Sequence, residues 1–271
     1  MFKVLLYYKY VSVPDVAAAI VEQEQVCAAL NLNGRIRVAP EGINGTVGGQ
    51  AEACDGYIAA MDASPVFAGI KFKTSDSGIK PFSSLVVNSV KEVVSSGRMA
   101  EADVHAGGAH FSPAAFHEAV SNMDTDRDTL VDVRNRYEHI VGHFEGPGGR
   151  ALDPDTRNFS QFADWVDANA DTLQSKGGKV LMYCTGGVRC EKASAYVLEK
   201  CCVEDVVQLD GGVHAYLEHY PDGGLFRGSN FVFDQRVTVR TTKEEIVSQC
   251  SECLAPSANL RPGEIVCSVC R

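Results

Sequence analysis

Between residues 128 and 209, short apolar runs alternate with helical patterns, and this alternation restricts the fold more than any other feature of the chain. "TLVDV" is followed by a stretch carrying Phe159, Phe162, Trp165 and Val166, then by "KVLMY", a helix from about Glu191, and "VVQL". Strands that alternate with helices read as βαβ units, which build a parallel sheet covered by helices on both faces. In doubly wound sheets of this kind, functional residues collect at the carboxyl ends of strands. Cys184 sits at one such end, directly after "KVLMY".

The first hundred residues follow another order. "KVLLYYKYV" reads as a strand, and Ser12-Val13-Pro14-Asp15 then offers a helix start with Val16, Ile20, Cys27 and Leu30 on one face. "RIRVA" and "GTVGG" follow as strands, with Asn44-Gly45 between them as the expected hairpin turn. Cys54, Tyr57, Ile58 and Met61 recur at helical spacing, and "GIKFKTS" and "SSLVVNSV" are strands again. The order β-α-β-β-α-β, with one added strand, is the ferredoxin-like, or acylphosphatase-like, α+β unit. Cys27 and Cys54 are expected in its core. The polar, glycine-bearing segment "SSGRMAEADVHAGGAHFSP" contains the domain boundary, and Ser112-Pro113 opens the next helix. The expected organisation is a ferredoxin-like domain over 1–100, an α/β domain over 111–226 and a cysteine-rich extension over 227–271. No repeat is visible.

A net charge of -10 argues against an extended phosphate-tracking surface, although Arg35, Arg37, Lys71, Lys73 and Lys80 form either a local patch for a polyanion or an ordinary solvated surface. Apolar runs are too short to span a bilayer, and the start Met1-Phe2-Lys3 lacks the layout of a secretion signal, so the expected place is the cytoplasm, with no membrane partner. Ten cysteines in such a chain point to reduced thiols with redox or metal roles.

The loop after Cys184 reads Thr185-Gly186-Gly187-Val188-Arg189-Cys190. Its glycines reach backbone angles that aim N–H groups at the sulfur, and the following helix adds the positive end of its dipole. An ordinary thiol has a pKa of about 8.5, and such a setting with a guanidinium lowers it by roughly one to several units. Phosphate-cleaving cysteine loops place their arginine six positions on; here Arg189 comes at five. The tighter loop has room for one extra sulfur atom, so Cys184 reads as a persulfide-forming cysteine. Cys190 is either a resolving thiol or a residue of the first helical turn. Cys201-Cys202 read as packing residues.

"TLVDVRNRYEHIVGHFEG" resembles the opening signature of rhodanese domains, and "YCTGGVRCEKASAYV" resembles their active-site loop in the form of one subgroup, the rhodanese-domain tRNA wobble-uridine hydroxylases. "GRIRVAPEGINGTVGG", "ALDPDTRNFSQF", "LDGGVHAYLE" and "NFVFDQRVTV" are similar to further segments of that family, in the same order. The resemblance implies that Cys184 is the catalytic cysteine and that Arg189 and the loop glycines stabilise its anion. It also implies oxygen-dependent hydroxylation at carbon 5 of the wobble uridine of tRNA, with molecular oxygen as co-substrate and a sulfur donor or reductant as partner. The sequence has no facial-triad iron spacing and no flavin or nicotinamide fingerprint. Asp132, Arg134, Glu138 and His143, in the opening signature, are expected to form a buried polar network supporting the loop. Two other readings remain: a sulfurtransferase with a different acceptor, and a non-catalytic binding module.

In the tail, Cys250-x2-Cys253 and Cys267-x2-Cys270 are separated by 13 residues. That spacing lets four thiolates converge on one tetrahedral zinc.

Overall fold

The structure is a computed structural model that describes residues 1–203, 205–243 and 246–249. It divides into two compact units, Met1–Ser95 with Phe233–Arg236, and Ser96–Val232 with the residues from Val237 on.

In the first unit, β1 (Phe2–Tyr10), α1 (Val16–Ala29), β2 (Asn33–Ala39), β3 (Gly42–Gln50), α2 (Ala51–Ala63), β4 (Lys73–Ser77) and β5 (Leu85–Ser89) follow in chain order. They form one sheet, β4-β1-β3-β2-β5, antiparallel except where β5 runs beside β2. This is the ferredoxin-like order with one added strand. Alternation along β1, β2 and β3 sends Leu5, Tyr7, Ile36, Val38, Ile43 and Val47 to one face, where they bury against Cys27 of α1 and Cys54, Tyr57 and Met61 of α2. The Asp15 carboxylate caps α1 by accepting the Ala18 N–H at 2.9 Å.

The turn expected at Asn44-Gly45 is elsewhere. The two residues lie inside β3, paired with Tyr8 and Tyr7 of β1, and the chain reverses at Pro40-Glu41. Gly45 is needed for a different reason: a Cβ there would collide with the Tyr7 ring and hydroxyl. A glycine that signals a turn to a local reading thus makes room for a buried tyrosine on the neighbouring strand.

The second unit contains β6 (Ala109–Phe111), α3 (Pro113–Ser121), β7 (Thr129–Asp132), α4 (Arg136–His139), β8 (Gly142–Gly146), β9 (Gly149–Arg150) and α5 (Phe162–Lys176). After these come β10 (Val180–Tyr183), α6 (Val188–Cys201), β11 (Val206–Leu209), α7 (Gly212–His219), β12 (Phe226–Phe231) and β13 (Thr238–Arg240). The main sheet is parallel throughout, in the order β6-β11-β10-β7. One face packs Leu181, Tyr183, Val207 and Leu209 against Phe116 and Val120 of α3 and Val213 and Tyr216 of α7. The alternate residues of β10, Val180 and Met182, are buried on the other face, where α6 packs against the strand and α5 against α6. This is the doubly wound architecture that the strand–helix alternation predicts. A small antiparallel sheet, β13-β12-β8-β9, was not anticipated, because its short, glycine-bearing strands carry little apolar signal.

Two local expectations are corrected. Helix α6 begins at Val188 rather than near Glu191: Gly187, at φ 102°, caps it, and the Cys190 N–H donates to the Gly187 carbonyl at 3.0 Å. Cys201 is buried, but Cys202 is exposed and ends α6 in a left-handed conformation, so it does not pack. No helix among the described residues is long and apolar enough to cross a membrane.

Candidate functional site

Cys184 and Asp132 mark the carboxyl ends of the adjacent parallel strands β10 and β7. Cys184 follows the last residue of β10, and the chain turns through Thr185-Gly186-Gly187 into α6, which places the sulfur at that helix's N-terminus. The Gly187 N–H donates to Cys184 Sγ at 3.1 Å, and the N–H groups of Arg189 and Cys190 act on the same sulfur. Cys184 is completely buried. Burial by itself would raise its pKa; the Cys190 thiol, the Arg189 guanidinium and the two backbone N–H groups outweigh that and bring it from 9.0 to about 5. Cys190, equally buried, is pushed well above 9.0 by burial and by the Cys184 charge it hydrogen-bonds. One sulfur is therefore a thiolate near neutrality, and its neighbour is a thiol that donates to it.

Glu138 reaches the loop from α4. Its carboxylate accepts from both Arg189 guanidinium nitrogens, at 2.6 and 2.7 Å, from the Thr185 hydroxyl at 2.8 Å and from the Asn135 N–H at 3.1 Å. Arg189 Nη2 also donates to Thr185 Oγ1 at 2.9 Å. The Arg189 charge holds Glu138 below its usual range against the opposing effect of burial. With four donors on its two oxygens, Glu138 has no lone pair left for a substrate proton. It is built as an anchor for Arg189 and Thr185.

Asp132, Arg134 and His143 lie one layer further from the sulfur. Asp132 accepts from Arg134 Nε at 2.9 Å and Nη2 at 2.7 Å, from the Arg134 N–H at 3.0 Å and from the Tyr183 hydroxyl at 2.9 Å, with His139 Nδ1 also at 2.9 Å. Arg134 donates again to the Gly142 carbonyl, which ties the end of β7 to β8. His143 Nδ1 lies 3.1 Å from the His139 carbonyl and its ring stacks on that of His139; burial lowers its pKa. Of the four residues expected to support the loop, Glu138 alone touches it directly; the other three hold the strand ends beneath it.

Sequence reasoning missed three contributors. Tyr183 and His139 complete the Asp132 network, and Gly212 forms the floor under the cysteine loop. The Val213 and His214 N–H groups, at the start of α7, donate to the carbonyls of Cys184 and Thr185 at 2.9 and 3.0 Å. Gly212, at φ +64°, comes so close that a Cβ would strike the Cys184 carbonyl oxygen and the Gly186 nitrogen. The glycine pair Gly211-Gly212, one residue after the strand "VVQL", was the available signal.

Of the basic residues considered for a polyanion, Arg35, Arg37, Lys71 and Lys80 are exposed. Lys73 is not: it is 8% exposed, and its ammonium lies 4.5 Å from the centre of the Tyr8 ring. Cys250, Cys253, Cys267 and Cys270 lie outside the described residues. Among the described residues, no group of three or more His, Cys, Asp or Glu is arranged to hold a metal ion.

Three family models match the chain in succession: the UPF0176 acylphosphatase-like domain over residues 2–93, the rhodanese-like domain over 115–219 and the rhodanese C-terminal domain over 227–271. Rhodanese-like domain-containing protein 6 of Arabidopsis thaliana is 39% identical across all of this chain, which spans 49% of that protein's length. The tRNA uridine(34) hydroxylase of Shouchella clausii is 41% identical over 88% of this chain and 72% of its own. That of Bacillus velezensis is 38% identical over 91% and 74%. With these family models matched in succession and this degree of identity over most of its length, the chain belongs to the rhodanese-domain family of the tRNA uridine(34) hydroxylases.

Proposed function

We propose that the chain hydroxylates carbon 5 of the wobble uridine, position 34, of tRNA, with molecular oxygen as co-substrate and Cys184 as the reacting residue. The observation that carries the reading is a fully buried Cys184 held as a thiolate by converging N–H groups, in a chain about 40% identical to proteins named for this reaction. In the overall balance, one atom of molecular oxygen enters the C–H bond at carbon 5. The other leaves as water, taking two electrons and two protons from two thiol groups of a reductant, which are oxidised to one disulfide. A thiol reductant is therefore required besides tRNA, and a reductant or sulfur-donor protein is the partner that suits this reading. The cytoplasm is the matching compartment, and the spacing of the four tail cysteines supports a structural zinc in the same protein. The test is the mass of tRNA incubated with the protein and a thiol under air and under nitrogen. A gain of one oxygen atom under air, absent under nitrogen and absent with Cys184→Ala, is the expected result; unchanged tRNA in all samples removes the reading.

The N–H groups that converge on the sulfur suit a second reading, sulfur transfer. The Cys184 thiolate attacks the outer sulfur of thiosulfate, the S–S bond of the donor breaks, sulfite leaves, and the outer sulfur stays on Cys184 until an acceptor takes it. This reading predicts cyanide-dependent thiocyanate formation that needs no oxygen and is lost in Cys184→Ser.

A further inference from the structure

The cysteine loop, as built, offers little grip for a substrate. Arg189, the guanidinium that acts on Cys184, is paired with Glu138, and Arg134 in the layer behind it is paired with Asp132, both pairs buried within the protein. The chain as a whole carries a net charge of -10, which opposes a polyanion. A nucleobase brought to Cys184 therefore needs a contact that does not depend on charge.

Tyr137 has the properties of such a contact. Among the described residues of the second unit it is the one exposed Phe, Tyr or Trp, at 39%, where rings of this size are ordinarily covered. It is also held in place: its ring meets Phe231 of β12 edge to face at 5.1 Å, and Asn135 Nδ2 donates to its hydroxyl at 3.0 Å. It adjoins the site, because the next residue, Glu138, turns inward to Thr185 and Arg189. The charges of both Glu138 and Arg189 reach the Tyr137 hydroxyl. Ile140, one helical turn on and 46% exposed, extends the apolar surface. An aromatic ring held in place, partly open to solvent and next in sequence to the residue that anchors the cysteine loop, suits one face of a nucleobase, and single-stranded bases are commonly held by stacking on such rings.

We propose that Tyr137 is the stacking platform for the target base: a pyrimidine turned out of the anticodon loop lies against its ring while carbon 5 faces the loop that carries Cys184. The proposal rests on the reading of a uridine substrate and assigns the subsite that holds it. Bases that react while flipped out of a stack need such a surface to replace the neighbours they leave.

Tyr137→Trp tests it directly. The wild-type chain has a single tryptophan, Trp165, which supplies the blank. The variant is titrated with an anticodon stem–loop RNA carrying uridine at position 34, and with the same RNA abasic at that position, while anisotropy reports binding and the rate of Cys184 alkylation reports an intact loop. Stacking predicts indole quenching by the uridine RNA and little by the abasic RNA. Binding of the uridine RNA without quenching, or equal quenching by both RNAs, overturns the proposal. Activity gives a second test. Tyr137→Leu should lose on the order of 10- to 100-fold in kcat/KM, the usual effect of removing one base–aromatic stack, whereas Tyr137→Phe, which keeps the ring, restores most of the rate. Equal rates for Tyr137→Leu and wild type overturn it as well. Product measured in the same samples separates the two claims: quenching without hydroxylated product removes the reaction and leaves the subsite, and product without quenching does the reverse.

Discussion

Each unit of the molecule buries a small hydrogen-bonded polar cluster, and the two clusters differ in what their bonds stabilise. In the ferredoxin-like unit, the Tyr7 and Tyr57 hydroxyls bond each other, Tyr57 donates to Gln23 Oε1, and Gln23 Nε2 donates to Met61 Sδ at 3.2 Å. Every member is neutral, and burial raises both tyrosines so that they stay so. In the rhodanese unit, backbone N–H groups and the Cys190 thiol, together with a guanidinium, point at a single sulfur and draw its proton away. Burial opposes ionisation in both places. The neutral pairs keep their protons and act as a core; the Cys190 thiol, Arg189 and convergent N–H groups overcome burial and leave an anion.

If that contrast is right, the largest effects should follow from removing the sulfur or its backbone setting. Cys184→Ser should lower product formation by at least ~10³-fold, in line with the loss of other catalytic nucleophiles, while leaving the fold intact by circular dichroism. Gly212→Ala is the sharper variant because it changes no reacting group. Its methyl would press on the Cys184 carbonyl and the Gly186 nitrogen at a positive φ, so the loop must shift. Activity should fall to near the Cys184→Ser level, and Cys184 alkylation should slow toward that of an ordinary thiol. Alkylation as fast as in wild type would show that α7 does not set the loop.

Next in size is the anchor. Glu138→Ala strands the Arg189 charge in a buried site, and breaking such a pair costs about 3–5 kcal/mol. Urea unfolding should show that loss. A cost below about 1 kcal/mol would mean that the loop reorganises around Arg189, and the contrast between an organised and an inert cluster would weaken.

The thiolate also makes a pH-dependent prediction with a definite sign. Cys184 has a folded pKa of about 5 against 9.0 for the free group, so the unfolded chain binds more protons than the folded one between these values. Its contribution to stability is therefore complete above pH 9.0 and declines as pH falls toward 5. Wild type should gain a few kcal/mol over Cys184→Ser across that window. Cys190 shifts the other way: its contribution is complete below 9.0 and is lost at higher pH. In Cys190→Ala the Cys184 alkylation midpoint should rise, because the donating thiol is gone. A flat difference curve between wild type and Cys184→Ser would show that the sulfur is not ionised in the folded protein.

How legible these regions were in the sequence depended on whether a feature is local. "KVLMYCTGGVRCEK" declares a strand end, a turn and a helix by itself, and α1 declares its start through Asp15, because capping and periodicity operate within a few residues. The floor under the loop was not legible: Gly212 lies 28 positions from Cys184 and meets it only once β10 and β11 are paired. For the same reason Asn44-Gly45 misled. A turn signal is local, whereas the space needed by Tyr7 comes from the register between β1 and β3. Lys73 was misplaced because composition alone does not say which face of β4 carries a side chain or that Tyr8 lies under it.

The smallest predicted effects concern the inert cluster and test the other half of the contrast. Tyr57 is its hub: Tyr57→Phe removes one hydroxyl but leaves both Tyr7 Oη and Gln23 Oε1 without their partner, and should cost roughly 2 kcal/mol. Tyr7→Phe removes an end member, leaves the Tyr57–Gln23 bond in place and should cost about 1 kcal/mol or less. Neither change touches Cys184, so the alkylation midpoint near pH 5 should be the same in both variants as in wild type. A shift of that midpoint on losing a tyrosine from the ferredoxin-like unit would mean that the two buried clusters are energetically coupled. A graded loss of stability with an unmoved midpoint would confirm that buried hydrogen bonds serve packing in one unit and ionisation in the other.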